Sequence, residues 1–294
     1  MFERMKNGWH IAKAVRKSVK RDKTAYIYPI LSGVVGAGLM IATFFALFFT
    51  IPLNFSSGNY VYYIAAFLIA YIFVSFFSLI FLMAMLIGYR ASIDGNPISI
   101  GESLSKAWEY KKPAFEWAIF YFIVTMIIRV IEKRFRGIAT LLISAVASFA
   151  IAIATYFAVP VILKNKTGPV ETIRESTSFI LKNFGRTFGG IIYVDLYTLI
   201  YTLSGIALIF LSVILLSSLI PFLALIAIIA VGVLLIVVGT VLNFIYTNIF
   251  KYVLYDFMNG GKLPPEISED DLKKSIRRKR GSKYMNMDSG NFPS

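Results

Sequence analysis

The stretch PAFEWAIFYFIVTMIIRVIEKRFRG, Pro113–Gly137, decides how the chain is read. It is apolar from Trp117 to Ile128 and then carries Arg129, Glu132, Lys133, Arg134 and Arg136. The uninterrupted run is 12 residues, short of the roughly 17–25 that cross a bilayer as a helix. Counted from Pro113, however, about 16 helical residues, or ~24 Å, precede Arg129. The charges can therefore reach the far interface, and the stretch counts as a full span with a charged end.

Composition agrees. Of 294 residues, 57% are hydrophobic and 16% charged, where a soluble domain would carry about 25% charge. The net charge of +14 comes from residues flanking apolar runs; that distribution argues against a nucleic-acid partner. No cysteine is present and His10 is the single histidine. Disulfides and thiolate chemistry are excluded, and most zinc sites and catalytic triads with them. No cofactor or metal is expected. The first apolar run, 27–51, is about twice the length of a signal-peptide core, so an uncleaved first membrane helix is the expectation.

Six apolar segments follow, near 27–51, 60–89, 114–135, 137–163, 188–220 and 222–250. Helices are the expected form, because backbone groups in lipid must be satisfied within the segment. Lys and Arg then set orientation. With six spans, 26 of the 30 basic residues fall on one side: eight in 1–25, four in 88–114, five in 164–187 and nine from Lys251 onward. Both termini are thereby placed in the cytoplasm of a multi-pass protein of the cell membrane.

Three basic-side segments have helical apolar spacing, and each precedes a pair of spans. The first carries Trp9, Ala12, Val15 and Val19 among Lys13, Arg16, Lys17, Lys20 and Arg21. The second opens with Ser99 and Glu102 at capping-box spacing and lines up Ile100, Leu104 and Trp108. The third opens at Gly168-Pro169, with the stripe Val170, Ile173, Thr177, Ile180 and Phe184. Such helices fit an in-plane position, apolar side in the acyl boundary and basic side on anionic headgroups, or alternatively a cap on the bundle. The expected fold class is an all-α membrane protein: six transmembrane helices as three hairpins, each preceded by an amphipathic interfacial helix. Its divisions are a basic N-terminal helix (1–25), a membrane domain (26–258) and a cytoplasmic tail (259–294) with a short helix from Ser268 to Lys279 and a disordered end.

Several motifs in order, Gly8-Trp9-His10-Ile11-Ala12-Lys13, Tyr28-Pro29-Ile30-Leu31-Ser32-Gly33, Asp94-Gly95-Asn96-Pro97, Phe115-Glu116-Trp117-Ala118, Val159-Pro160-Val161, Gly168-Pro169-Val170-Glu171 and Gly260-Gly261-Lys262-Leu263-Pro264, carry a resemblance. From about residue 6 to residue 280 the chain resembles a domain-of-unknown-function family of polytopic membrane proteins from bacteria and archaea. The resemblance implies a six-helix integral membrane protein and no particular activity.

Two candidate sites stand out. Asp195 lies in the fifth apolar segment, about 9 residues or ~14 Å past Arg186 by helical rise. Asn243 lies 8 residues, ~12 Å, before Lys251 on the antiparallel sixth. The matched depths predict an Asp195–Asn243 hydrogen bond, with Tyr197 and Tyr246 as neighbours. An intramembrane carboxylate is by default a functional-site hypothesis; helix–helix glue is the favoured alternative. The second site is Arg129, Glu132 and Arg136, spaced so that one carboxylate serves two guanidinium groups. It reads as an anion site at an outer mouth or, preferably, as a self-neutralised helix end.

Function is expected to be that of a scaffold or accessory protein, binding anionic lipid or a cytoplasmic or membrane protein partner at its basic face. A small-solute transporter or channel using Asp195 and Arg129 is the alternative. An intramembrane enzyme ranks third, because no nucleophile–base pair or metal set can be assembled.

Overall fold

The computed structural model describes residues 2–21, 23–50, 60–134, 138–216, 220–261 and 264–266. Helix is the only regular structure among them: α1 Phe2–Arg21, a 3₁₀ turn Lys23–Tyr26, α2 Ile27–Thr50, α3 Tyr60–Ile93, α4 Ile100–Trp108, α5 Lys111–Arg134, α6 Ile138–Thr155, α7 Ala158–Asn165, α8 Pro169–Leu211, a π-helical turn Ser212–Leu216 and α9 Phe222–Met258. The expected tail helix and disordered end lie outside the described residues.

Among the described residues, six segments are long and apolar enough to cross a membrane: Lys23–Thr50, Tyr60–Ile93, Lys111–Ile131, Ser144–Asn165, Pro169–Leu215 and Phe222–Met258. Their most apolar windows are only 11–28% buried within the protein. So much exposed hydrocarbon is untenable in water, and the protein is an all-α, multi-pass membrane protein.

The chain forms two compact units, Met1–Lys20 with Asn183–Ser294, and Arg21–Lys182. In the second unit α2, α4, α5 and α7 all pack on α3, and α6 packs on α5. Its core gathers at one end of α3, where Ile80, Met83, Met85, Leu86 and Tyr89 are buried, while Tyr60, Val61, Tyr62 and Ile64 at the other end are exposed. Helix α5 repeats the gradient: Ala114, Trp117 and Ala118 are buried, and Ile123, Ile127 and Val130 exposed. The buried ends are those flanked by basic connections. The Tyr28 hydroxyl meets Ser103 Oγ there, and the Tyr110 hydroxyl donates to the Leu163 carbonyl at 3.1 Å.

Helix ends follow local chemistry. Ser99 caps α4, its Oγ accepting from the Glu102 backbone N–H at 3.1 Å, as its spacing predicts. The Glu102 side chain pairs with Lys106 at 2.9 Å. Helices α3 and α9 stop the same way. Gly95 and Gly260 take φ of +83° and +85°, and the next N–H reaches back five residues, Asn96 to Ala91 at 3.0 Å and Gly261 to Asp256 at 2.8 Å. This is the left-handed glycine stop, and it accounts for the Asp94-Gly95-Asn96-Pro97 and Gly260-Gly261 motifs.

One expectation is corrected. The fourth apolar segment is not one helix: it breaks between α6 and α7 at Tyr156–Phe157. Pro160 has no N–H and its ring crowds the carbonyl four residues back. The freed Phe157 N–H donates to Ser176 Oγ at 3.0 Å. The third basic-side helix and the fifth segment are two helices that meet at a kink within α8, at the non-helical residue Asn183 (φ −115°, ψ 15°). On the second and third basic-side helices the residues that face the protein are mostly small. In α4 the buried residues are Ser103 and Ala107, while Trp108 stays exposed, its ring 5.9 Å from that of Phe76. In α8 they are Thr172, Ser176 and Ile180, with Val170 77% exposed.

Candidate functional site

Beyond Asn183, α8 packs antiparallel on α9. A Cβ on Gly190 would strike the Phe250 ring, one on Gly239 would meet Thr202, and Gly205 and Gly232 each abut the other's carbonyl. Small residues at these positions allow the close helix approach that stabilises packing in lipid. The register brings Asp195 and Asn243 together. The Asn243 amide spends both of its N–H donors, one on Asp195 Oδ1 at 2.9 Å and one on Thr198 Oγ1 at 2.9 Å. Thr198 in turn donates to the Val194 carbonyl at 2.9 Å. Thr198 is the member that sequence reasoning missed; its place at i+3 from Asp195 was the available signal.

Asp195 is exposed on the helix pair, and the Lys251 ammonium lies in its field.

Aromatic rings extend the site. Tyr246 is buried and its ring centroid lies 6.0 Å from that of Tyr197; the Tyr197 and Tyr201 hydroxyls are 3.3 Å apart. Nearby on α9, the Asn248 amide donates to the Phe244 carbonyl at 2.8 Å.

The larger surprise is α1. It follows α8 in the same direction: a Cβ on Gly8 would meet the Arg186 carbonyl, Trp9 sits edge-on to Tyr193 with centroids 4.8 Å apart, and the Arg16 guanidinium lies 4.3 Å from the Tyr197 centroid and 5.6 Å from that of Tyr193. Ile11, Ala12, Val15 and Val19 are buried within this unit. The apolar side of α1 therefore faces protein, which corrects the in-plane reading with that side in the acyl boundary. Arg16 turns inward with it. Lys6, His10, Lys13, Lys17 and Lys20 stay exposed; the Arg21 side chain lies outside the described residues.

Of the second expected site, Arg129 is described and exposed on α5. It lines a groove of about 280 Å³ with Tyr121, Thr125, Ile128, Ser148, Ile151 and Ala152. The Glu132 side chain and Arg136 lie outside the described residues. Arg129 and Asp195 belong to different compact units.

Helices packed by small residues, with polar contacts at one end and bare hydrocarbon at the other, define a polytopic membrane protein. The chain belongs to a family of unknown function, DUF6159, whose model matches residues 59–263. That range takes in Asp195, Asn243 and Arg129; α1 and α2 precede it. Neither a curated protein nor a solved structure matches the chain.

Proposed function

We propose that the protein is a membrane scaffold or accessory protein, oriented with both termini in the cytoplasm, that presents α1 as a cationic docking face for anionic lipid headgroups or an acidic partner. One observation carries this reading. The exposed residues Lys6, His10, Lys13, Lys17 and Lys20 recur every three or four positions and so form one row along α1, about 21 Å long at 1.5 Å per residue. The ion pairs Arg90–Asp94, Lys106–Glu102 and Lys166–Glu109 lie elsewhere, and no carboxylate among the described residues pairs with the four lysines.

A row of uncompensated ammonium groups attracts anionic surfaces at about 1 kcal/mol per residue near a membrane. Because the other side of α1 is occupied by α8 contacts, attraction comes from charge alone, without hydrophobic insertion. It is therefore salt-sensitive. The test is crosslinking of the full chain in native membranes, alongside K13Q/K17Q/K20Q. Loss of a crosslinked protein in the triple variant supports a protein partner, and loss of anionic-lipid enrichment supports the lipid arm. Unchanged profiles in both arms overturn the reading.

A further inference from the structure

We propose that the groove between α5 and α6 binds a phosphate-bearing anion. Tyr121, Thr125 and Arg129 stand four residues apart on α5 and form one row, about 12 Å long by helical rise. Ser148 faces them from α6, and Ile128, Ile151 and Ala152 supply the apolar wall. The Thr125 hydroxyl spends its proton on the Tyr121 carbonyl at 2.8 Å. The donors left are the Arg129 guanidinium and the Tyr121 and Ser148 hydroxyls.

That donor set suits a tetrahedral oxyanion. A guanidinium offers a planar fork that engages two phosphate oxygens at once, and hydroxyls from two helices can reach the others. The volume of about 280 Å³ accommodates a headgroup-sized anion, near the lower end of small-molecule pockets at ~300–1,000 Å³. The apolar wall favours a phosphate carrying an alkyl ester, such as a lipid headgroup, but free phosphate shares the chemistry. This site is independent of the lysine row on α1, and neither proposal rests on the other.

The test uses the full chain purified in neutral detergent, in two arms. One titrates inorganic phosphate and follows binding by isothermal titration calorimetry. The other adds phosphatidylglycerol, with phosphatidylcholine as control, and counts retained lipids by native mass spectrometry. Saturable binding is expected in at least one arm, and that arm identifies the source. R129Q should weaken it about tenfold, as loss of a charge-assisted bidentate contact does. Y121F/S148A keeps the charge and should weaken it by about threefold, in line with loss of neutral hydrogen bonds; it carries the test should R129Q fail to fold. K13Q/K17Q/K20Q should bind as the unaltered chain does. No saturable binding in either arm, or equal binding by R129Q, overturns the proposal.

Discussion

The guanidinium of Arg16 lies 4.3 Å from the ring centroid of Tyr197. A basic residue of the first helix is thereby held against an aromatic residue nearly two hundred positions on, and the helix is fixed to α8. Cation–π contacts contribute about 0.5–2 kcal/mol, more when desolvated. Arg16→Ala should lower stability by roughly that amount in equilibrium unfolding in mixed micelles. Arg16→Lys should retain part of it. Equal stability of all three chains would mean that the stacking contributes nothing.

Gly8 makes a second prediction about the same contact. A side chain there would collide with the Arg186 carbonyl and the Gly190 amide, backbone atoms that cannot swing aside. Gly8→Val should detach the start of α1, and limited trypsin digestion should then cut at Lys13, Arg16 or Lys17 at least several times faster. A cleavage rate matching that of the unaltered chain would contradict the docking.

At the polar pair, Asp195→Asn keeps an acceptor for the Asn243 amide. Its cost should stay below about 1 kcal/mol, within the ~0.6–2 kcal/mol range of interhelical polar contacts in membranes. Asn243→Leu removes both donors and leaves Asp195 with the Lys251 field alone, so the cost should reach the upper end of that range. The unfolding midpoints of the two variants check the order, and reversal would show that the Asp195 charge matters more than the bond.

The break between α6 and α7 depends on Ser176, whose Oγ takes the buried Phe157 N–H. Ser176→Ala leaves that donor unsatisfied and should cost about 1–3 kcal/mol. Ser176→Thr, which keeps the hydroxyl, should cost less. Thermal unfolding of both variants measures the difference.

Much of this was legible in the chain. The six apolar segments, the Ser99 cap and the meeting of Asp195 with Asn243 all follow from spacing and helical rise. On α4 and at the start of α8 large apolar residues such as Trp108 and Val170 stay exposed, and small residues face the protein because they let helices approach. Ser103, Ala107, Thr172 and Ser176 are buried accordingly. In α1 the apolar side meets protein, one of the two placements that its spacing allows. The rows Tyr193, Tyr197, Tyr201 on α8 and Gly8, Trp9, Arg16 on α1 are complementary only once both helices are placed, and neither spacing names the other. The break at Tyr156–Phe157 has its sequence signal in Pro160, which an apolar run conceals.

The central claim is that α1 lies with its apolar side on the protein and its lysine row open to the cytoplasm. The chain has no native cysteine, so single-cysteine variants A12C and K13C report on one position each without background. Sealed right-side-out and inverted vesicles would be treated with a membrane-impermeant maleimide. K13C should label in inverted vesicles only, and A12C should stay protected in both until the protein is unfolded. Labelling of K13C from the outside, or of A12C as fast as K13C, would contradict the account.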